Sequence, residues 1–240
     1  MTLRIALVFL LHGLVGCSST SDTACTDTSC EPAPPSCPTV RPVVLVHGIN
    51  GSSADFDEVV TRLLADGWPE DYVVRFDAED PKWGCNADNA VAIGALVAQV
   101  LAQTGEERID LVAHSMGTLS ARTFLKNAGG TQVVNSYTSL GGMNHGLASS
   151  CSAPDFLHVC VWEEICATND FVTQLNADPS TPGPTIWASI YGTADTTIPN
   201  ESSYLEGALN LAIPDVDHVG LLHDDATYAA LKTQLELPCW

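Results

Sequence analysis

Three polar residues, far apart in the chain, each follow an apolar run. Ser115 stands in Ala113-His114-Ser115-Met116-Gly117, Asp195 follows Gly192-Thr193-Ala194, and His218 precedes Val219-Gly220. A serine hydroxyl is a weak nucleophile until a neutral imidazole takes its proton, and the imidazole needs an acid partner to fix which nitrogen does so. The chemistry these types support is acyl transfer, with Ser115 attacking, His218 as base and then acid, and Asp195 orienting the ring. The chain order Ser, Asp, His is one of three in which this chemistry recurs on unrelated scaffolds.

The elements around these residues must place them. The β-favouring residues 108–112 enter the serine segment and the helix-compatible residues 118–125 leave it, which puts Ser115 at a strand-to-helix corner. Such a corner tolerates only small residues two before and two after the nucleophile, here Ala113 and Gly117. A serine opening a helix turns the N–H of Met116 towards an oxyanion. His47-Gly48 after an early apolar run offers a second donor, the N–H of Ile49. Other candidates have blander readings. His47 is scaffold, and His114, beside the nucleophile, is expected to point away from it. His145, His158 and His223 lack a strand-end context, and His12 lies in the leader. Asp215 and Asp217 are too close to His218 in sequence to reach its far nitrogen, so they read as surface or loop-capping groups.

The rest of the chain alternates two periodicities. Val43-Val44-Leu45-Val46 is a run suited to a strand buried on both faces. Phe56, Val59, Val60, Leu63 and Leu64 follow at helical spacing, with Ser52 and Asp55 as start signals and Gly67 as stop. Residues 72–76 predict a strand, and Ile93, Leu96, Val97, Val100 and Leu101 a helix ending at Gly105. Strands are expected around 133–140, 185–191 and 211–213, with a closing helix from about Asp225. Residues 144–184 are the least regular part, with short helices expected at 162–166 and 171–175. Strands alternating with helices predict an α/β fold, a mostly parallel central sheet flanked by helices on both faces.

Composition narrows the function classes. A formal charge of −20 with nine basic residues argues against nucleic acid, and predicts a soluble, monomeric domain. Residues 1–16 read as a signal peptide, with Arg4 before an apolar stretch too short to span a membrane. They end in Leu14-Val15-Gly16-Cys17, which resembles the lipobox of bacterial lipoproteins, whose cysteine carries lipid. Cys17 would then anchor the protein outside the cytoplasm, on the outer membrane in a Gram-negative source. Residues 17–38, rich in Ser, Pro and Cys, read as a tether, leaving 39–240 as the folded domain. Of nine cysteines, eight besides Cys17 remain for disulfides in an oxidising compartment. They allow on the order of a hundred pairings, among which the spacing does not choose. No spacing matches a zinc site, so no metal is expected.

Together, Val46-His47-Gly48-Ile49-Asn50-Gly51, the Ala113–Gly117 elbow, Leu140-Gly141-Gly142, Ser189-Ile190-Tyr191 leading to Asp195, and His218-Val219-Gly220-Leu221-Leu222 resemble the small, lidless bacterial lipases of the Bacillus type. The resemblance runs from about Val43 to Leu235. It implies a minimal α/β-hydrolase without calcium or cofactor, hydrolysing triacylglycerols and simple esters through Ser115, Asp195 and His218. Two features depart from that pattern. The cysteine-bearing segment 144–184 is longer and suggests a disulfide-stapled flap near the acyl groove, and the lipid tether is foreign to the group. A polyesterase or acyltransferase would use the same triad, and a surface-anchored binding module without turnover would keep the same fold.

Overall fold

The computed structural model describes residues 40–152 and 159–240, which fall within one compact unit, Cys37–Trp240. The leader, the tether, Cys17, His12 and His158 lie outside the described residues. Six strands, β1 (Val43–Val46), β2 (Val73–Phe76), β3 (Ile109–His114), β4 (Val134–Leu140), β5 (Ile186–Gly192) and β6 (Leu209–Ile213), form one sheet. Every pairing is parallel, in the order β2-β1-β3-β4-β5-β6. The longer helices are α1 (Asp57–Ala65), α2 (Asn86–Thr104), α3 (Gly117–Asn127) and α7 (Asp225–Leu235), with short α4 (Cys160–Glu164), α5 (Asp170–Leu175) and α6 (Asn200–Ser203) between β4 and β6.

Side-chain alternation along β1 explains why its run is wholly apolar. Val44 and Val46 join Ile93, Val97, Leu111 and Phe124 on the α2/α3 face, while Val43 and Leu45 join Val59, Leu63, Leu231 and Leu235 on the α1/α7 face. After β1 the chain goes to one edge as β2, then returns past β1 to build outward from β3. The helices that follow β1 and β3 therefore cover opposite faces, and a crevice opens between the carboxyl ends of these two strands. The amino end is pinned instead. Buried Arg41 pairs with Asp110 at 3.0 Å and donates to the Leu235 and Leu237 carbonyls, and Asp110 also accepts from Ser136 on β4. Breaking such a buried pair costs about 3–5 kcal/mol, so the sheet beneath the crevice is a stiff base.

Helix limits follow local chemistry. Ser52 and Asp55 form a capping box on the 3-10 turn Ser53–Phe56 that feeds α1, and α2 stops at Gly105, whose φ of 75° suits glycine. Helix α2 begins earlier than the apolar stripe announces, since its first turn uses Asn86 and Asn89 as buried polar contacts.

The segment 144–184 is tied down at several points. Disulfides join Cys85, which precedes α2, to Cys160 of α4, and Cys151 to Cys166. From α3, buried Arg122 donates to the Asn144 and Leu175 carbonyls and to Asn176 Oδ1, and Lys126 donates to the carbonyls of Leu175, the last residue of α5, and of Ala177 just beyond it. Val161, Ile165 and Leu175 pack on Met116, Leu119 and Met143. The segment thus forms an extra layer against the α3 end. Among the described residues, no helix is long and apolar enough to cross a membrane.

Candidate active site

Ser115 follows β3 with φ of 55°, a left-handed conformation that costs a non-glycine residue energy and persists only where its surroundings enforce it. The packing at the corner does so. A Cβ at Gly117 would lie 2.3 Å from the His47 carbonyl oxygen, and one at Gly48 would lie 2.8 Å from the Ser115 Cβ. The β1 and β3 corners therefore touch backbone to backbone, and only glycine permits that approach. Ala113 is fully buried within β3, where its methyl is accommodated.

Asp195 and His218 come from the loops after β5 and β6. His218 Nδ1 lies 2.7 Å from Asp195 Oδ2. A carboxylate only accepts, so the proton is on Nδ1 and Nε2 is the basic nitrogen. Asp195 Oδ1 accepts from the N–H groups of Thr197 and Ile198, both at 2.8 Å. Burial raises the Asp195 carboxyl, but the His218 hydrogen bond and these N–H groups outweigh it and hold the acid below its ordinary value. Ser115 and His218 line one cleft of about 590 Å³, with Gly48, Ile49, Thr197 and Leu222 among its walls.

The two backbone donors expected for an oxyanion belong to Ile49 and Met116. Among the described residues neither N–H donates to a main-chain acceptor. His47 sets the direction of the first. The N–H of Ala78 donates to His47 Nε2 at 3.1 Å, which puts the ring proton on Nδ1, and Nδ1 donates to the Gly48 carbonyl at 2.8 Å. That carbonyl belongs to the same planar peptide as the Ile49 N–H, so holding one end aims the other. Sequence reasoning gave His47 a scaffold role without this partner, because Ala78 lies 31 residues away.

His114 has a partner that the sequence does not announce. It closes β3 on the same face as Val112, the face on which Leu221 and Leu222 pack. Its ring therefore meets the loop carrying His218, with ring centroids 4.6 Å apart, and Nε2 lies 3.1 Å from the His218 carbonyl oxygen. Burial, and then the neighbouring His218, push His114 down to about 4, so it stays neutral near pH 7. The other candidates sit apart from this pair. His145 contacts Glu206, His223 contacts Glu58 at the cleft rim, Asp217 caps Gly220 N–H, and Asp215 is exposed. Cys85, Cys160 and Glu164 are near enough to share a metal, but the two thiols are spent in their disulfide. No described residue of 144–184 lines the cleft; Val161, Ile165 and Leu175 of that segment pack in one cluster with Met116, the neighbour of Ser115.

Comparison with known proteins agrees with this architecture. Bacillus licheniformis lipase BlEst2 in its mature form superposes with a TM-score of 0.70 at 20% identity, over 86% of this chain and 96% of that one. Aspergillus fumigatus lipase B superposes at 0.70 with 15% identity, over 86% of this chain and 56% of the other. Legionella pneumophila phospholipase PlaB, in complex with thio-NAD, gives 0.67 at 14% identity, over 82% and 58%. The family model for lipase (class 2) matches residues 40–235, from β1 through α7, and the chain therefore belongs to the class 2 lipases, a family of lipolytic hydrolases.

Proposed function

We propose that the protein is a serine carboxylic-ester hydrolase, a triacylglycerol lipase or lipolytic esterase that works through an acyl-enzyme on Ser115. The observation that carries this reading is the 2.7 Å contact between His218 Nδ1 and Asp195, in a cleft that also holds Ser115. His218 Nε2 takes the Ser115 proton as Oγ bonds to the ester carbonyl carbon. The carbonyl oxygen becomes an oxyanion between the N–H groups of Ile49 and Met116. Collapse breaks the bond to the alcohol, which leaves with the proton from His218. Water, activated by the same nitrogen, then releases the acid and restores Ser115. Asp195 stays ionised throughout and stabilises the imidazolium.

The mature protein is further proposed to be held at a membrane outside the cytoplasm by lipid on Cys17, with monomeric catalytic domains. The Cys85–Cys160 and Cys151–Cys166 disulfides are compatible with an oxidising compartment. Hydrolysis of p-nitrophenyl esters from acetate to palmitate and of emulsified triglyceride, with Ser115→Ala as control, tests the reaction. Activity lost in that variant supports the mechanism, and the longest chain cleaved separates lipase from esterase. Turnover that survives Ser115→Ala overturns the serine mechanism, and none in the wild type leaves a binding module. Cys17→Ser should abolish lipid labelling and release the protein from membranes; continued labelling refutes the anchor.

A further inference from the structure

His218 sits on a loop beyond β6, and its catalytic use depends on where that loop stands relative to β3. The turn itself is shaped locally, by Leu221 N–H on the Asp217 carbonyl and Gly220 N–H on Asp217 Oδ1. At His218, two hydrogen bonds reach beyond the turn: the ring to Asp195 and the carbonyl to His114 Nε2. Since a carbonyl only accepts, the His114 proton is on Nε2. The bond spans 104 residues and runs from the central strand to the loop. It takes the His218 main chain and leaves Nδ1 to Asp195 and Nε2 without a protein partner among the described residues, in the cleft that Ser115 also lines. The tilted ring of His114, 6% exposed, covers one flank of the His218 imidazole.

We infer that His114 is a positioning residue for the base: its Nε2–H bond sets the His218 main chain at the height where His218 Nε2 meets Ser115, and its ring keeps water from that flank. The inference rests on His218 being the base of the proposed hydrolase. A side chain that only filled space would need neither a donor at this atom nor a loop carbonyl as its acceptor. Because His114 stays neutral, the proton taken from serine is held by His218 alone.

Two variants of the whole protein separate donor from bulk. His114→Gln carries its amide nitrogen as many bonds from Cβ as the native Nε2, and can remake the bond. His114→Phe keeps a ring and loses the donor. His114→Asn, one bond too short, repeats that loss with a small polar side chain if phenylalanine is not accommodated. Displacing a reacting group by a fraction of an ångström to 1 Å costs up to about a hundredfold in rate, so Phe and Asn should lower kcat by about ten- to a hundredfold with KM within about twofold. Gln should recover most of the loss. The downfield Nδ1 proton of His218, read by NMR without turnover, should persist in Gln and broaden in Phe and Asn. Full kcat and an unchanged proton signal in Phe or Asn overturn the inference, as does a rate that follows only the fraction folded. Turnover surviving Ser115→Ala would instead overturn the serine reading, and this one with it; loss in Ser115→Ala with full kcat in Phe overturns only the role of His114.

Discussion

Replacing Asp195 by asparagine exchanges one oxygen for an amide nitrogen and should remove most of the activity while leaving the fold in place. Asp195 Oδ1 holds two backbone N–H groups, at 2.8 Å each, and Oδ2 faces His218 Nδ1 at 2.7 Å. An asparagine keeps the first two bonds only if its oxygen stays in the Oδ1 place, which puts NH₂ against Nδ1. Flipping the amide would set a donor against two donors, losing two bonds to keep one. The imidazole therefore changes tautomer, with Nδ1 accepting and Nε2 carrying the proton, and it can no longer take one from Ser115. The rate loss for a wrong tautomer is about 10⁴-fold, equivalent to about 5.5 kcal/mol of barrier. Stability should fall by only about 1–2 kcal/mol, the difference between a charge-assisted and a neutral hydrogen bond. The sign with pH follows from the lowered Asp195 acid: its stabilisation is present above the unfolded value and is lost as pH falls through the folded one. Urea midpoints of wild type and Asp195→Asn should therefore differ at pH 7 and converge below about pH 4. The assay is kcat on p-nitrophenyl butyrate beside those midpoints. A variant within tenfold of wild type would refute the assignment of tautomer control to Asp195.

The remaining expectations probe the supports of the site. Gly117→Ala places a methyl against the His47 and Val46 carbonyl oxygens, at 2.3 and 2.9 Å, and should cost at least about 1–3 kcal/mol in urea denaturation because backbone cannot yield cheaply. His47→Phe frees the peptide that aims the Ile49 N–H; kcat and the affinity of an alkyl boronic acid should fall together by about a hundredfold with KM unchanged, and an unchanged boronate affinity would exclude the role. Removing Cys85–Cys160, a sequence separation of 75, should cost up to about 4.5 kcal/mol on the chain-entropy argument, and removing Cys151–Cys166, separated by 15, up to about 3; calorimetry that ranks them the other way would contradict it. His114 is held neutral down to about pH 4, so its share of stability is complete above the ordinary histidine value and lost as pH falls; the wild-type midpoint should drop between pH 6.5 and 4 more than that of His114→Gln.

The identity of the elements was readable where one side-chain pattern dominates. The run Val43–Val46 could be little else than a doubly buried strand, and the stripe from Ile93 to Leu101 was a helix whatever packed on it. Boundaries were less legible. Nothing local marks Asn86 as the start of α2, since Cys85 makes no side-chain cap and the first turn is organised by polar contacts with Ser120 and Glu164. The residues 211–213 gave only the end of β6, because the sheet-edge strand alternates burial weakly from Leu209 onward. The same division runs through the site. Strand-end position made Ser115, Asp195 and His218 recognisable, whereas His114 and His47 looked like bystanders because their partners belong to other loops.

What the sequence determined by itself is local and ordered: which segments are strands or helices, which strand ends carry Ser, Asp and His, and that the residues at 113 and 117 must be small. These follow from side-chain shape, backbone sterics and chain order, which need no knowledge of distant neighbours. Only the tertiary structure decided that His114 holds the His218 carbonyl across 104 residues, that Ala78 fixes the His47 tautomer across 31, and that Cys85 pairs with Cys160 across 75. Each is a through-space contact between segments that sheet order brings together, and no local periodicity encodes which loop will lie beside which.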